Sequence, residues 1–143
     1  MLGAMSALIV PAMRYRDAKR ALDWLHRAFG FERHAVYENA DGTVMHAEMK
    51  LGDAFIMFGQ VADTPFGRYM VQPDEVSGRN TVSPYVVLPE AGMQAHYDRA
   101  VAAGAEILDP FTKKDYGGSG YSARDFEGFV WSFGSYDPRA PQG

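Results

Sequence analysis

The sequence predicts an α+β fold made from two copies of one βαβββ unit. Three observations predict it. The order strand, helix, strand, strand, strand occurs twice along 143 residues. The two helices end on related segments, "AFGF" and "AAGAEI", and the two units close on related turn-strand segments, "LGDAFIMFG" and "FEGFVWSFG". Each unit alone has too few strands to close a core, so the two must pair. The length suits a single domain over 1–143, with units at about 7–59 and 81–136 joined by a loop at 60–80.

The elements follow in order. Residues 7–13 form a short apolar run that reads as a strand. Asp17 is a helix N-cap, and Ala18, Ala21, Leu22, Leu25, Ala28 and Phe29 then keep helical spacing until Gly30. Residues 31–38 read as a strand ending at the turn "NADG". Residues 43–50 alternate, with Met45, Ala47, Met49 and Leu51 on one face and Val44, His46, Glu48 and Lys50 on the other. After "LGD", residues 54–58 are a continuous apolar strand. Residues 60–80 lack periodicity and contain Pro65, Gly67, Pro73 and Gly78. A loop of that length suggests a lid, an arm or a linker.

The second unit opens with an apolar strand at 82–88. "PEAG" then starts a helix with Met93, Tyr97, Ala100, Val101 and Gly104 on one stripe. Residues 105–108 begin a strand, and the last two strands turn at "DFEG". In the final strand Val130, Ser132 and Gly134 share one face, while Phe129, Trp131 and Phe133 share the core face.

Composition excludes several functions. The formal charge is −4 and no basic run is present, which argues against a nucleic-acid partner. With no cysteine, disulfides, thiolate metal sites and cysteine nucleophiles are excluded. The opening "MLGAMSALIVP" is short and lacks a basic region, so it reads as a strand rather than a signal peptide. No apolar run approaches the roughly 20 residues of a membrane span. The expected location is the cytoplasm, without membrane contact.

"YRDAKRALDWLHRAFGFE", "DGTVMHAEMKLGDAFIMFG" and "YGGSGYSARDFEGFVWSFGSYDP" resemble the vicinal oxygen chelate superfamily over about residues 7–138. It includes glyoxalase I, bleomycin-resistance proteins and extradiol dioxygenases. Within it the chain looks most like small glyoxalase/bleomycin resistance-like members of unassigned activity. The resemblance implies a curled mixed-sheet cup from the paired units. It also implies a homodimer in which both chains build the cup. In metal-using relatives the ligands lie on inward-facing strand positions. Those positions fall here on Val10 (or Pro11), Glu48, Ser83 and Ser132. A divalent ion needs carboxylate or imidazole donors, so Glu48 is the one credible ligand, with His46 close enough to be recruited. The resemblance therefore implies no catalytic metal and no cofactor.

His46 and Glu48 are the best titratable pair, because alternate residues on a strand lie about 7 Å apart. Facing the cup, Glu48 is a candidate general base, or the group that orients His46 as one; the other reading is a polar pair on a solvated sheet face. Ser83, Tyr85, Tyr121, Arg124 and Ser132 are candidate pocket residues. Asp125 is read as shaping its turn, and Arg124 as a grip for an anionic substrate. His26 and His96 read as surface groups, and His34 has no partner. Phe66, Tyr69 and Met70 suit a lid over an apolar ligand or an arm across a dimer interface. The function these readings favour is metal-free binding of a small hydrophobic or aromatic molecule. The alternative is a divalent-metal-dependent lyase, isomerase or dioxygenase.

Overall fold

Both units open directly after a proline. In the computed structural model, which describes residues 5–141, the first strand β1 is Ala12–Tyr15, and β5, its counterpart, is Tyr85–Val87. The expected strands at 7–13 and 82–88 are therefore shorter or shifted, and the reason is chemical. Pro11 and Pro84 each accept a hydrogen bond from the neighbouring strand, from Met57 and Ser132, but neither has an N–H to carry the ladder backward. Leu8 and Ile9 are left 71% and 91% exposed. Residues 1–4 of the segment weighed as a signal peptide lie outside the described residues.

The helix α1 (Ala18–Phe29) starts where Asp17 accepts from the Arg20 N–H and ends at Gly30 in the left-handed region. It is followed by β2 (Glu32–Glu38), β3 (Val44–Leu51) and β4 (Ala54–Gln60). The second unit continues through α2 (Met93–Ala102), β6 (Glu106–Lys113), β7 (Ser119–Arg124) and β8 (Val130–Gly134). A single 3₁₀ turn at Glu90–Gly92 precedes α2. Each unit makes a four-stranded mixed sheet, ordered β1-β4-β3-β2 and β5-β8-β7-β6, with β1 parallel to β4 and β5 parallel to β8. The duplication is thus visible in topology as well as sequence. Among the described residues no helix is long and apolar enough to cross a membrane.

The alternation of β3 breaks once. Ala47 and Met49 face the core as expected, but Val44 is 1% exposed and Met45 is 57% exposed, the reverse of the sequence reading. The pairing with β2 slips between Tyr37 and Glu38, so a bulge inverts the strand's faces at this point. Gly59 permits it. A Cβ there would fall inside contact distance of the Met45 carbonyl oxygen.

The two units share one core and are joined by hydrogen bonds. Phe29 from α1 packs on Trp131 and Phe133 of β8, with centroids 5.5 and 4.7 Å away. From α2, Arg99 donates to the carbonyls of Arg27 and His26, and His96 Nε2 to that of Phe29. Trp24 donates back to the Ala103 carbonyl at 3.1 Å. The exposed carbonyls at the end of one helix are thus capped by the other unit.

"DFEG" fastens the opposite end. Asp125 is buried and accepts from Tyr15 Oη at 2.6 Å, Trp131 Nε1 at 3.0 Å and the N–H groups of Glu127 and Phe129. Burial raises its pKa, and these four donors oppose the rise. Glu127 accepts from the N–H groups of Arg16 and Asp17, in front of α1. Asp125 does shape its own turn, but it also ties that turn to β1.

Residues 60–80 form an ordered crossover with short 3₁₀ turns at Phe66–Tyr69 and Pro73–Val76. Both ends are pinned to β1. Arg14 donates to the Ala62 carbonyl at 2.6 Å, and Gln72 donates to the Arg14 carbonyl at 2.6 Å. Phe66, Tyr69, Met70 and Val71 lie exposed between these anchors.

Candidate functional site: two open sheet faces

Each sheet buries one face against the helices and leaves the other open. On the first sheet the register aligns Ala12, Met57, Glu48 and Ala35 across four strands. On the second, the corresponding row is Tyr85, Ser132, Ser122 and Asp109. The rows are equivalent in the duplication, since Ala12 and Tyr85 each follow the proline that opens their unit. Glu48 therefore occupies the place that Ser122 holds in the second unit.

His46 and Glu48 meet. The imidazole Nε2 lies 3.0 Å from a Glu48 carboxylate oxygen, both side chains are half-buried, and the Tyr37 ring stacks on His46 at 6.2 Å. A carboxylate holding one ring nitrogen fixes the orientation of the other, as proton transfer requires. The strand-pair geometry that the sequence suggested is present, and it lies on the open face.

The other candidates scatter. Ser132 is on the open face, where its hydroxyl shares a 2.7 Å hydrogen bond with Ser122. Tyr85 lies flat over Gly134, where a Cβ would come within 3.0 Å of its ring, and its hydroxyl donates to the Tyr136 carbonyl at 2.8 Å. Burial raises the Tyr85 pKa, which keeps the phenol protonated as that donor. Ser83 precedes β5 and is exposed, so Tyr85 rather than Ser83 stands in the Ser132 row. Likewise Ala12, not Val10, stands in the Glu48 row. Arg124 points to the open side but is occupied by Glu106 at 2.5 Å and the Gly78 carbonyl at 3.1 Å.

Tyr121 is no wall residue. It is 1% exposed in the core, and its hydroxyl meets His96 Nδ1 at 2.7 Å. Strand parity carried the signal: Tyr121 and Arg124 are three apart on one strand and cannot share a face. Ser122 was the residue in phase with Arg124. His96 is likewise not a surface group, being half-buried against Phe133 at 4.5 Å. His26 is exposed on α1, as its place on the polar face suggested, and its Nδ1 meets the Phe31 carbonyl at 2.9 Å.

A groove of about 540 Å³ runs over β1, β4 and the bulged end of β3, beneath the crossover. The bulge turns both Met45 and His46 into it, beside Met57, Phe66 and Met70. A second cleft of about 720 Å³ lies between the two sheets, with Tyr69, Val71, Val82 and Phe129 on its walls. For metal binding, the open faces offer Glu48 and His46 on one sheet and, on the other, neutral hydroxyls with Asp109 and Glu106, which are paired with Lys114 and Arg124. Among the described residues no three His, Asp or Glu side chains converge.

A family model described as Glyoxalase/Bleomycin resistance protein/Dioxygenase superfamily matches residues 8–133. The chain belongs to this superfamily. Among solved structures similar to this chain, TioX from Micromonospora sp. ML1 is 30% identical, with 90% of this chain and 98% of TioX covered at a TM-score of 0.66. The fosfomycin resistance protein FosX from Mesorhizobium loti is 13% identical over 94% of this chain and 96% of its own, with a TM-score of 0.66. A glyoxalase-related enzyme from Fulvimarina pelagi is 17% identical over 97% and 94%, at 0.65. The last two likenesses show the glyoxalase/bleomycin resistance fold, which the duplicated sheets of this chain share. No curated protein matches the chain.

Proposed function

We propose that this superfamily member binds a small hydrophobic or aromatic molecule in a cup completed by a second copy of the chain, without a catalytic metal. One observation carries the reading. The open faces supply a single carboxylate–imidazole pair, Glu48 with His46, among thioethers, aromatic rings and neutral hydroxyls, while Asp109 and Glu106 on the second sheet are held in ion pairs by Lys114 and Arg124. Even with the two faces brought together, a divalent ion would find Glu48 and His46 as good ligands, since Asp109 is held by Lys114, and serine hydroxyls that keep their protons do not make up the set. The residues do not fit the metal that some relatives use.

The dimer is supported by what one chain leaves open. α1 packs on α2 inside the chain, so the open faces are not covered by each other's helices. β1 and β5 are sheet edges, and Leu8, Ile9, Tyr69, Val71 and Val82 stand exposed nearby. Apolar surface of this kind suits an isologous contact, in which each copy offers the first sheet to the other's second. Sedimentation equilibrium should return twice the 15.8 kDa chain mass.

The competing reading is a divalent-metal-dependent lyase, isomerase or dioxygenase, for which Glu48 and His46 are a two-donor start. Elemental analysis of purified protein, with thermal shifts on adding Ni, Zn, Mn or Fe, separates the two. A stoichiometric metal or a large stabilisation by one overturns the binding reading. Without one, a neutral apolar fluorophore such as N-phenyl-1-naphthylamine should bind saturably, and a non-saturable signal counts against the cup.

A further inference from the structure

The groove beneath the crossover has a charge character that sequence alone does not show. Its one formally charged lining residue is Arg14, on β1. The side chain is half-buried and makes no ion pair among the described residues. Its bonds go to the Ala62 carbonyl at 2.6 Å and to Thr64 Oγ1 at 3.4 Å, both through Nη2. Arg16 and Arg124, by contrast, are paired with Asp74 at 2.7 Å and with Glu106. The Arg14 position is also built. A Cβ on Gly67 would come within 2.5 Å of Nη1, so a side chain there would push the guanidinium from its present place beneath the crossover.

The opposite wall is His46, backed by Glu48. That carboxylate is directed to the imidazole at 3.0 Å, and it does not itself line the groove. Between Arg14 and His46 lie Met45, Met57 and Met70 with the Phe66 ring. Thioethers adapt to flat, polarisable surfaces and make favourable contacts with aromatic rings. The groove therefore combines an unpaired fork of donors with a deformable apolar bed. In an acidic chain of net charge −4, an unneutralised arginine at such a place favours an anion.

We infer that the ligand class is an organic anion with a flat apolar body, an aromatic carboxylate or its equivalent. The body lies over Met45, Met57 and Met70, and the acid group meets Arg14. The inference rests on the binding reading above and narrows it. It assigns Arg14, rather than Glu48, as the residue that sets charge preference.

Three probes sharing one ring system test it by titration calorimetry: 2-naphthoate, 2-naphthalenemethanol and 2-naphthylmethylammonium. The anion should bind about tenfold tighter than the alcohol, and the ammonium weakest. Arg14→Gln should bring the naphthoate-to-alcohol affinity ratio down to about one, a readout from which any loss common to both probes cancels, and Arg14→Lys should retain most of the ratio. Because Arg14 also anchors the crossover, Gly67→Ala gives a second variant that displaces the guanidinium without changing any charge, and it should weaken naphthoate selectively. Preference for the ammonium, or an anion preference that survives Arg14→Gln, overturns the inference while leaving the binding reading intact. Failure of all three probes overturns both.

Discussion

At Gly59 and Gly134 the site admits no side chain beyond hydrogen, and each opposes a different functional neighbour. Gly59 lies against the Met45 carbonyl, and the β3 bulge depends on that approach. Gly59→Ala should cost about 1–3 kcal/mol in chemical denaturation, the usual penalty for forcing a methyl into filled space. It should also push the β3 backbone outward and disturb the bulge that turns Met45 and His46 to the same side. Gly134 supports the Tyr85 ring. Glu48→Gln is the third test at this scale. It removes the charge beside His46 but keeps an acceptor, so the imidazole keeps a partner for Nε2 in a changed electrostatic setting. The His46 Nε2 chemical shift followed by NMR at neutral pH should move in this variant. A value unchanged from wild type would show that the 3.0 Å contact does not persist in solution.

Among the elements, the "DFEG" turn holds the most structure per residue. Asp125→Ala would leave Tyr15 Oη, Trp131 Nε1 and two peptide N–H groups without their acceptor in a buried place. The expected loss is about 3–5 kcal/mol, read from urea denaturation, with Asp125→Asn less damaging because it keeps one oxygen. A loss below 1 kcal/mol would mean that water replaces the carboxylate. The sequence showed the turn and the strands around it, because alternation and turn chemistry are local properties. It did not show the Tyr15 partner, which is 110 positions away. The same division explains the site. Glu48, His46 and Ser132 were legible because strand parity puts each on the open face of its own sheet. Arg14 and Met45 were not, since the groove depends on a bulge and a crossover anchor that only the folded chain brings together. The expected strands at 7–13 and 82–88 overran for a local reason, as apolar character was weighed above the missing N–H of Pro11 and Pro84.

For the molecule as a whole, the decisive contact is the joint between the units, and it is built to be sensitive to protons. His96 of α2 bridges the Phe29 carbonyl at 2.7 Å and the Tyr121 hydroxyl at 2.7 Å while packed between aromatic rings. These partners suit the neutral ring, with Nε2–H donating to the carbonyl and Nδ1 accepting from the phenol. Burial lowers the His96 pKa below its ordinary 6.5, and nearby Arg99 lowers it further, against the pull of the Phe29 carbonyl. The sign of the stability effect follows. Where the folded-state pKa is depressed, the unfolded chain takes up the proton first, so stability rises with pH. The contribution is complete above about pH 6.5 and is lost as pH falls from there through the folded-state value. Asp41, Asp74 and Asp137 also weaken the fold in acid, but their pKa values lie below 3.8 and their window is separate. Urea denaturation at intervals from pH 7.5 to 5.0 should therefore show a declining midpoint in wild type. In His96→Gln, which keeps a donor and an acceptor but cannot titrate, the decline over that interval should flatten. An equal decline in both proteins would place the acid sensitivity elsewhere and leave the joint between the units indifferent to pH.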